Sequence, residues 1–183
     1  MRRVAACGFL AAITLGLGAP SADAALKASA TITQQQLGPG DFQYSLTLTD
    51  TGTTPIGTFW FGWFPGYDLL PHAPTSITSP PGWTGQNAPD AFGVASSQWV
   101  NTATPLQSGQ SLGGFTFNSP DANVATGTSA FFGEPIDFSY VYIGAPETDA
   151  GFALHPTLVT PEPASLALLV PASLLLARRR KRH

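Results

Sequence analysis

The chain has little cysteine, few basic residues away from its ends, and no helical periodicity between them. Its single cysteine, Cys7, lies near the start. No disulfide can therefore staple the protein, and it must hold by core packing and backbone pairing. Between residues 25 and 160 the only basic side chain is Lys27, against nine acids: Asp41, Asp50, Asp68, Asp90, Asp121, Glu134, Asp137, Glu147 and Asp149. One minus nine leaves that stretch at −8. Such a surface excludes nucleic acid and anionic lipid as partners, because both are gripped by Lys and Arg. No segment of 25–160 repeats apolar residues at the 3.6 spacing of a helix. What is present instead is Thr, Ser, Gly, Pro and regularly placed aromatics. Those aromatics are too plentiful for a disordered chain.

The two ends differ from this middle. Arg2 and Arg3 precede an uncharged apolar stretch at 4–19, and Ala22-Asp23-Ala24 follows. A charged start, an apolar centre and small residues at Ala22 and Ala24 form a signal peptide, with cleavage expected after Ala24. The partners this implies are the Sec machinery and signal peptidase. At the other end, Pro161-Glu162-Pro163 is followed by an apolar run at 164–177 and then Arg178, Arg179, Arg180, Lys181 and Arg182. As a helix the run would span about 21 Å, against about 30 Å of hydrocarbon. Pro171 interrupts it and removes a helical hydrogen bond. The basic residues hold the C-terminus in the cytoplasm and leave the rest outside. A span this short suits temporary attachment to the inner membrane.

This ordered set of triplet, apolar run and basic end resembles the PEP-CTERM sorting signal. The resemblance covers about the last 23 residues. It implies processing near Pro161-Glu162-Pro163 by exosortase, a membrane-embedded cysteine transpeptidase-like enzyme of Gram-negative bacteria. It also implies a place on the cell surface or in the biofilm matrix, in association with exopolysaccharide. The catalytic cysteine would belong to that partner.

Residues 25–160 form one domain's length of chain. Leu26, Ala28, Ala30 and Ile32 alternate with polar residues, and a Gly38-Pro39-Gly40-Asp41 turn follows. Phe42, Tyr44, Leu46 and Leu48 give the clearest period-two pattern, which predicts a half-buried antiparallel strand. Residues 56–64 carry Phe59, Trp60, Phe61, Trp63 and Phe64. Aromatics on both faces there predict a central strand, or one whose outer face meets a loop. Six prolines between 65 and 90 exclude a long central strand, leaving a short one around 76–78. Further strands are expected at 92–100, 112–117, 129–132, 136–143 and 152–158. Short strands between turns predict an all-β, two-sheet sandwich, immunoglobulin-like, with a jelly roll as the alternative.

Candidate chemistry is sparse. Gly109-Gln110-Ser111-Leu112-Gly113 matches the G-x-S-x-G nucleophile pattern, and Asp121, Asp137 or Asp149 and then His155 follow in hydrolase order. That elbow needs a strand before the serine and a helix after it, whereas Ser111 runs straight into strand-like residues. A small surface serine hydrolase is thus an alternative without its structural context. His72 and His155 lack a second His or Cys at ligand spacing, so neither a metal nor another cofactor is expected. Glu134 with Asp137, or Glu147 with Asp149, could offer oxygens to Ca²⁺, but show no calcium-loop spacing. Two converging carboxylates for a glycosidase are not evident. Trp83, in Pro80-Pro81-Gly82-Trp83, is the candidate platform for a glycan, or else a plug at one end of the sandwich. Trp60, Trp63 and Trp99 are expected in the core. The sequence reads as a non-enzymatic exported protein, with a carbohydrate-binding module as the alternative.

The two ends generate one prediction. Mass spectrometry of the protein from its native host should show a species that begins at Ala25 and lacks the basic run. A stable surface form still carrying Arg178 to His183 would contradict it.

Overall fold

The computed structural model describes residues 25–89, 93–124, 137–144 and 150–160. The leader, the Pro161-Glu162-Pro163 triplet, the 164–177 run, the basic end and the strand expected at 129–132 lie outside the described residues. In chain order the strands are β1 (Ala28–Gly38), β2 (Asp41–Asp50), β3 (Thr58–Phe61), β4 (Trp63–Phe64), β5 (Tyr67–Asp68), β6 (Ser76–Thr78), β7 (Thr84–Pro89), β8 (Ala95–Val100), β9 (Ser111–Ser119), β10 (Ser139–Tyr142), β11 (Phe152–Leu154) and β12 (Thr157–Leu158). No helix occurs among the described residues.

Two five-stranded sheets form, ordered β12-β1-β2-β9-β6 and β11-β10-β3-β8-β7, with β4-β5 a separate small hairpin. Alternation decides which faces meet. Ile32, Tyr44, Leu46, Leu48, Phe115 and Phe117 of the first sheet are buried in one cluster with Phe59, Phe61, Trp99 and Val141 of the second. The protein is thus an all-β sandwich. Phe59 meets Phe115 edge-on at 5.5 Å, and Phe61 meets Phe117 at 5.2 Å across the interface. Tyr44 stacks beside Phe117 at 5.1 Å.

Strict alternation fails in β9, where Leu112 and Phe115 both pack inward although three residues apart. Leu46 pairs with Phe115 but Thr47 pairs with Gly113, so Gly114 is the extra residue of a bulge. Its φ of 96° is open to glycine and strained for other residues. The bulge shifts the face parity and brings both side chains to the core.

Strand β3 is central in its sheet and carries rings on both faces, as its sequence pattern predicts. Phe59 and Phe61 enter the sandwich, while Trp60 faces out. Gly62, at φ 68°, turns the chain so that Trp63 folds back over Trp60, with ring centroids 4.7 Å apart. Trp63 also meets Tyr140 and Tyr142 edge-on. Trp60, Trp63 and Tyr142 are all buried, so a second aromatic cluster sits on the outer face of this sheet. Trp99 belongs to the main core, whereas Trp60 and Trp63 belong to this second one.

Two segments depart from the sequence pattern. The proline-rich stretch contains β7, which lies at the sheet edge and ends at Pro89, where a missing N–H costs no ladder bond. The 152–158 segment divides at His155-Pro156: β11 joins the second sheet and β12 crosses to pair in parallel with β1. Proline cannot continue the ladder, so the break falls there.

Trp99 fastens β8 to the opposite sheet, since its Nε1 donates to the carbonyl of Thr78 in β6 at 2.8 Å. Its ring lies over Gly85, where a Cβ would stand 2.8 Å from Cδ1 and Nε1. Gly85→Ala should therefore destabilise the fold by about 1–3 kcal/mol, the usual cost of overpacking. A urea midpoint unchanged by this substitution would contradict the tight seat assigned to Trp99.

Candidate functional site

A pocket of about 460 Å³ opens at one end of the sandwich. Three segments build it: the turn before β7 with Pro81 and Trp83, the loop after β8 with Asn101, Thr104, Pro105 and Leu106, and the entry to β9 with Gln110, Ser111 and Leu112. Each segment is held by local chemistry. Trp83 N–H donates to the Pro80 carbonyl at 3.0 Å, closing a turn with Pro81 and Gly82 at its centre. Proline presets φ for the first central position, and Gly82 supplies the φ of 82° needed at the second. The turn drives Trp83 inward. It is 7 % exposed and packs edge-on against Phe115 at 5.2 Å.

Asn101 organises the second segment. Its Oδ1 accepts the Thr104 N–H at 2.8 Å, and its Nδ2 donates to Thr104 Oγ1 at 2.9 Å. Leu106 and Ile56 exchange two backbone bonds, which fixes the loop's exit. In the third segment Gln110 N–H donates to the Gln107 carbonyl at 3.0 Å, and Gln110 Oε1 accepts the Gln107 N–H at 3.3 Å. Ser111 Oγ lies 2.7 Å from Thr49 Oγ1. The result is a concave surface of mixed lining, with Pro81, Trp83, Pro105, Leu106 and Leu112 beside amide and hydroxyl side chains.

Asp50 lies behind the third segment. Its backbone N–H donates to the Gln110 carbonyl and its carbonyl accepts the Gly109 N–H. It shares the inward face of β2 with Leu46 and Leu48 and is fully buried. Oδ1 accepts the Gly52 N–H at 2.9 Å, while Oδ2 has no partner among the described residues. Burial raises its pKa above the ordinary carboxylate value, and the Gly52 bond opposes this only in part.

The sequence-derived candidates fall in separate places. Trp83 lines the pocket by one margin rather than displaying an open ring face. Ser111 opens β9, so the strand follows it instead of leading into it, and a nucleophile elbow is absent. His155 Nε2 is 2.8 Å from Asp137 Oδ1, and His72 Nδ1 is 2.8 Å from Asp121 Oδ1. Each histidine is thus paired with an acid, and no three metal-ligating side chains cluster among the described residues. Glu134, Glu147 and Asp149 lie outside those residues. Asn101, Thr104 and Gln110 are the pocket residues that sequence reasoning passed over. Their signals are an Asn three residues before a Thr, the mark of a side-chain-capped turn, and the Gln107–Gln110 turn beside the serine motif.

No family model matches this chain, and no curated protein sequence does. Solved structures are similar to it at low level, two of them as follows. One is described as a biomass-sensoring module from the putative Rsgi2 protein of Clostridium thermocellum, resembling a family 3 carbohydrate-binding module. It matches at TM-score 0.40 and 15 % identity, over 66 % of this chain and 93 % of its own. The other is described as the CBM3 of Hungateiclostridium clariflavum, at TM-score 0.39 and 9 % identity, over 76 % of this chain and all of its own.

The raised pKa of Asp50 sets a sign for pH dependence. The folded state binds this proton more tightly than the unfolded state does, so stability is highest below the ordinary carboxylate pKa. It falls as pH rises towards and through the folded value. Asp50→Asn keeps an acceptor for Gly52 and removes the charge. Its melting temperature should exceed that of the parent at pH 7, with the gap narrowing in acid. A constant gap across pH would refute the assignment.

Proposed function

We propose that this chain is an exported, non-enzymatic β-sandwich protein that holds polysaccharide at the outer surface or in the matrix, through the pocket beside Trp83. The observation that carries this reading is the pocket's composition. Pro81, Pro105 and Leu112 supply apolar surface for the C–H face of a sugar ring, bordered by the margin of Trp83. Thr104, Gln110 and Ser111, all exposed, bring hydroxyl and amide groups to meet its hydroxyls, with the buried Asn101 holding Thr104 in place.

Delivery rests on the two ends of the sequence. The leader ending at Ala24 would take the chain through the inner membrane. The Pro161-Glu162-Pro163 signal, the short apolar run and the arginines would hold it there for exosortase. The immunoglobulin-like reading is supported by strand order. In such folds the first strand neighbours the second and the second neighbours the fifth, opposite a three-stranded sheet. The rows β1-β2-β9-β6 and β11-β10-β3 follow that scheme, with the β7-β8 hairpin added beside β3.

Titration of host exopolysaccharide into the full chain in mild detergent, read by calorimetry and tryptophan fluorescence, tests the proposal. Gln110 is exposed and outside the core, so Gln110→Ala should leave the melting temperature unchanged and weaken binding roughly two- to tenfold, the worth of one hydrogen bond. No binding to any polysaccharide would overturn the reading.

A further inference from the structure

Nine described residues line the pocket, and none of these is titratable. Small-ligand sites that take an anion show a basic side chain or a cluster of converging N–H groups. Here the polar groups are two side-chain amides and two hydroxyls, at Asn101, Gln110, Thr104 and Ser111. Hydroxyls of a neutral sugar can exchange water for these groups at little cost. A carboxylate or sulfate lowered into the same place loses hydration with no cation to replace it. The long-range field acts in the same direction. One lysine stands against nine acids over 25–160, so a polyanion is repelled before contact.

We infer that the pocket selects uncharged pyranosyl chains and rejects uronate or sulfated ones. This rests on the polysaccharide-binding reading and adds the chemical class of the ligand. Trp83 borders the pocket from the core side, since it is 7 % exposed and its indole packs edge-on against Phe115. Pro81 and Pro105 offer apolar surface to a ring's C–H face, and the exposed Gln110 offers its amide to the ring's hydroxyls. A volume of about 460 Å³ admits a short segment of a chain. That lies within the range of about 300–1,000 Å³ for small-ligand sites.

The experiment compares neutral glucan, galactan and mannan oligosaccharides with oligogalacturonate of equal length. The full chain is used in mild detergent, with chelator present, at low and at high salt. The expected result is saturable binding of at least one neutral series, unchanged by salt, and none of the uronate. Trp83→Phe trims a ring packed in the core against Phe115 and should lower the melting temperature, so Gln110→Ala, at an exposed side chain, is the variant that should weaken neutral binding alone. Gln110→Lys should confer salt-sensitive uronate binding. Uronate bound by the unaltered chain as tightly as neutral sugar would overturn the selectivity and leave the polysaccharide reading standing. Failure of every sugar to bind would overturn both.

Discussion

Nothing covalent ties the two sheets together, so the fold depends on rings meeting across the sandwich. Phe59 lies between Trp99 at 5.6 Å and Phe115 at 5.5 Å. Trp99 meets Phe115 at 5.5 Å, and Phe61 meets both Phe117 and Phe138. Each large ring removes much apolar area from water, and the edge-on contacts add roughly 0.5–1.5 kcal/mol apiece beyond that burial. Small disulfide-rich secreted domains replace core with staples. This chain instead has length enough for a core and fills it with aromatics.

The pocket is a consequence of that core. Phe115 faces the interface in step with Phe117, the bulge at Gly114 brings Leu112 to the same side, and Trp83 packs on the edge of Phe115. Strand β9 thus begins at the pocket with Ser111 and Leu112, and continues into the core with Phe115 and Phe117. A change at Gly114 would be felt in both places. Asp50 belongs to the same end of the molecule and works against it, since a buried carboxyl with one oxygen unpartnered among the described residues costs stability.

The outer face of the second sheet follows a different logic. Tyr140, Trp60, Gln98 and Gln86 lie side by side across four strands, and the Gln86 and Gln98 amides bond to one another. Such a row, were it open, would be a surface for a sugar chain. Trp63 lies over Trp60 and closes it, made possible by the left-handed turn at Gly62. Trp60 Nε1 and Ser96 Oγ are buried on that face without a partner among the described residues. The ring-rich strand that looks most like a binding surface is packed, while the less conspicuous turn around Trp83 borders the pocket.

Sequence by itself determined the class of fold. Period-two alternation around Tyr44, Leu46 and Leu48 leaves a strand one apolar face, and a sheet with one apolar face must bury it against another. It also determined the absence of cross-links, the acidity of 25–160 and the pattern of the two ends, because these depend on composition and order alone. The tertiary structure decided what depends on meetings between distant segments. The bulge at Gly114 overrode the alternation, the fold-back at Gly62 hid Trp60, and β12 crossed to the opposite sheet after Pro156. Asn101, Thr104 and Gln110 are unremarkable polar residues in sequence. They line one pocket only because the β8–β9 connection that carries them arrives beside the turn at Trp83 that precedes β7.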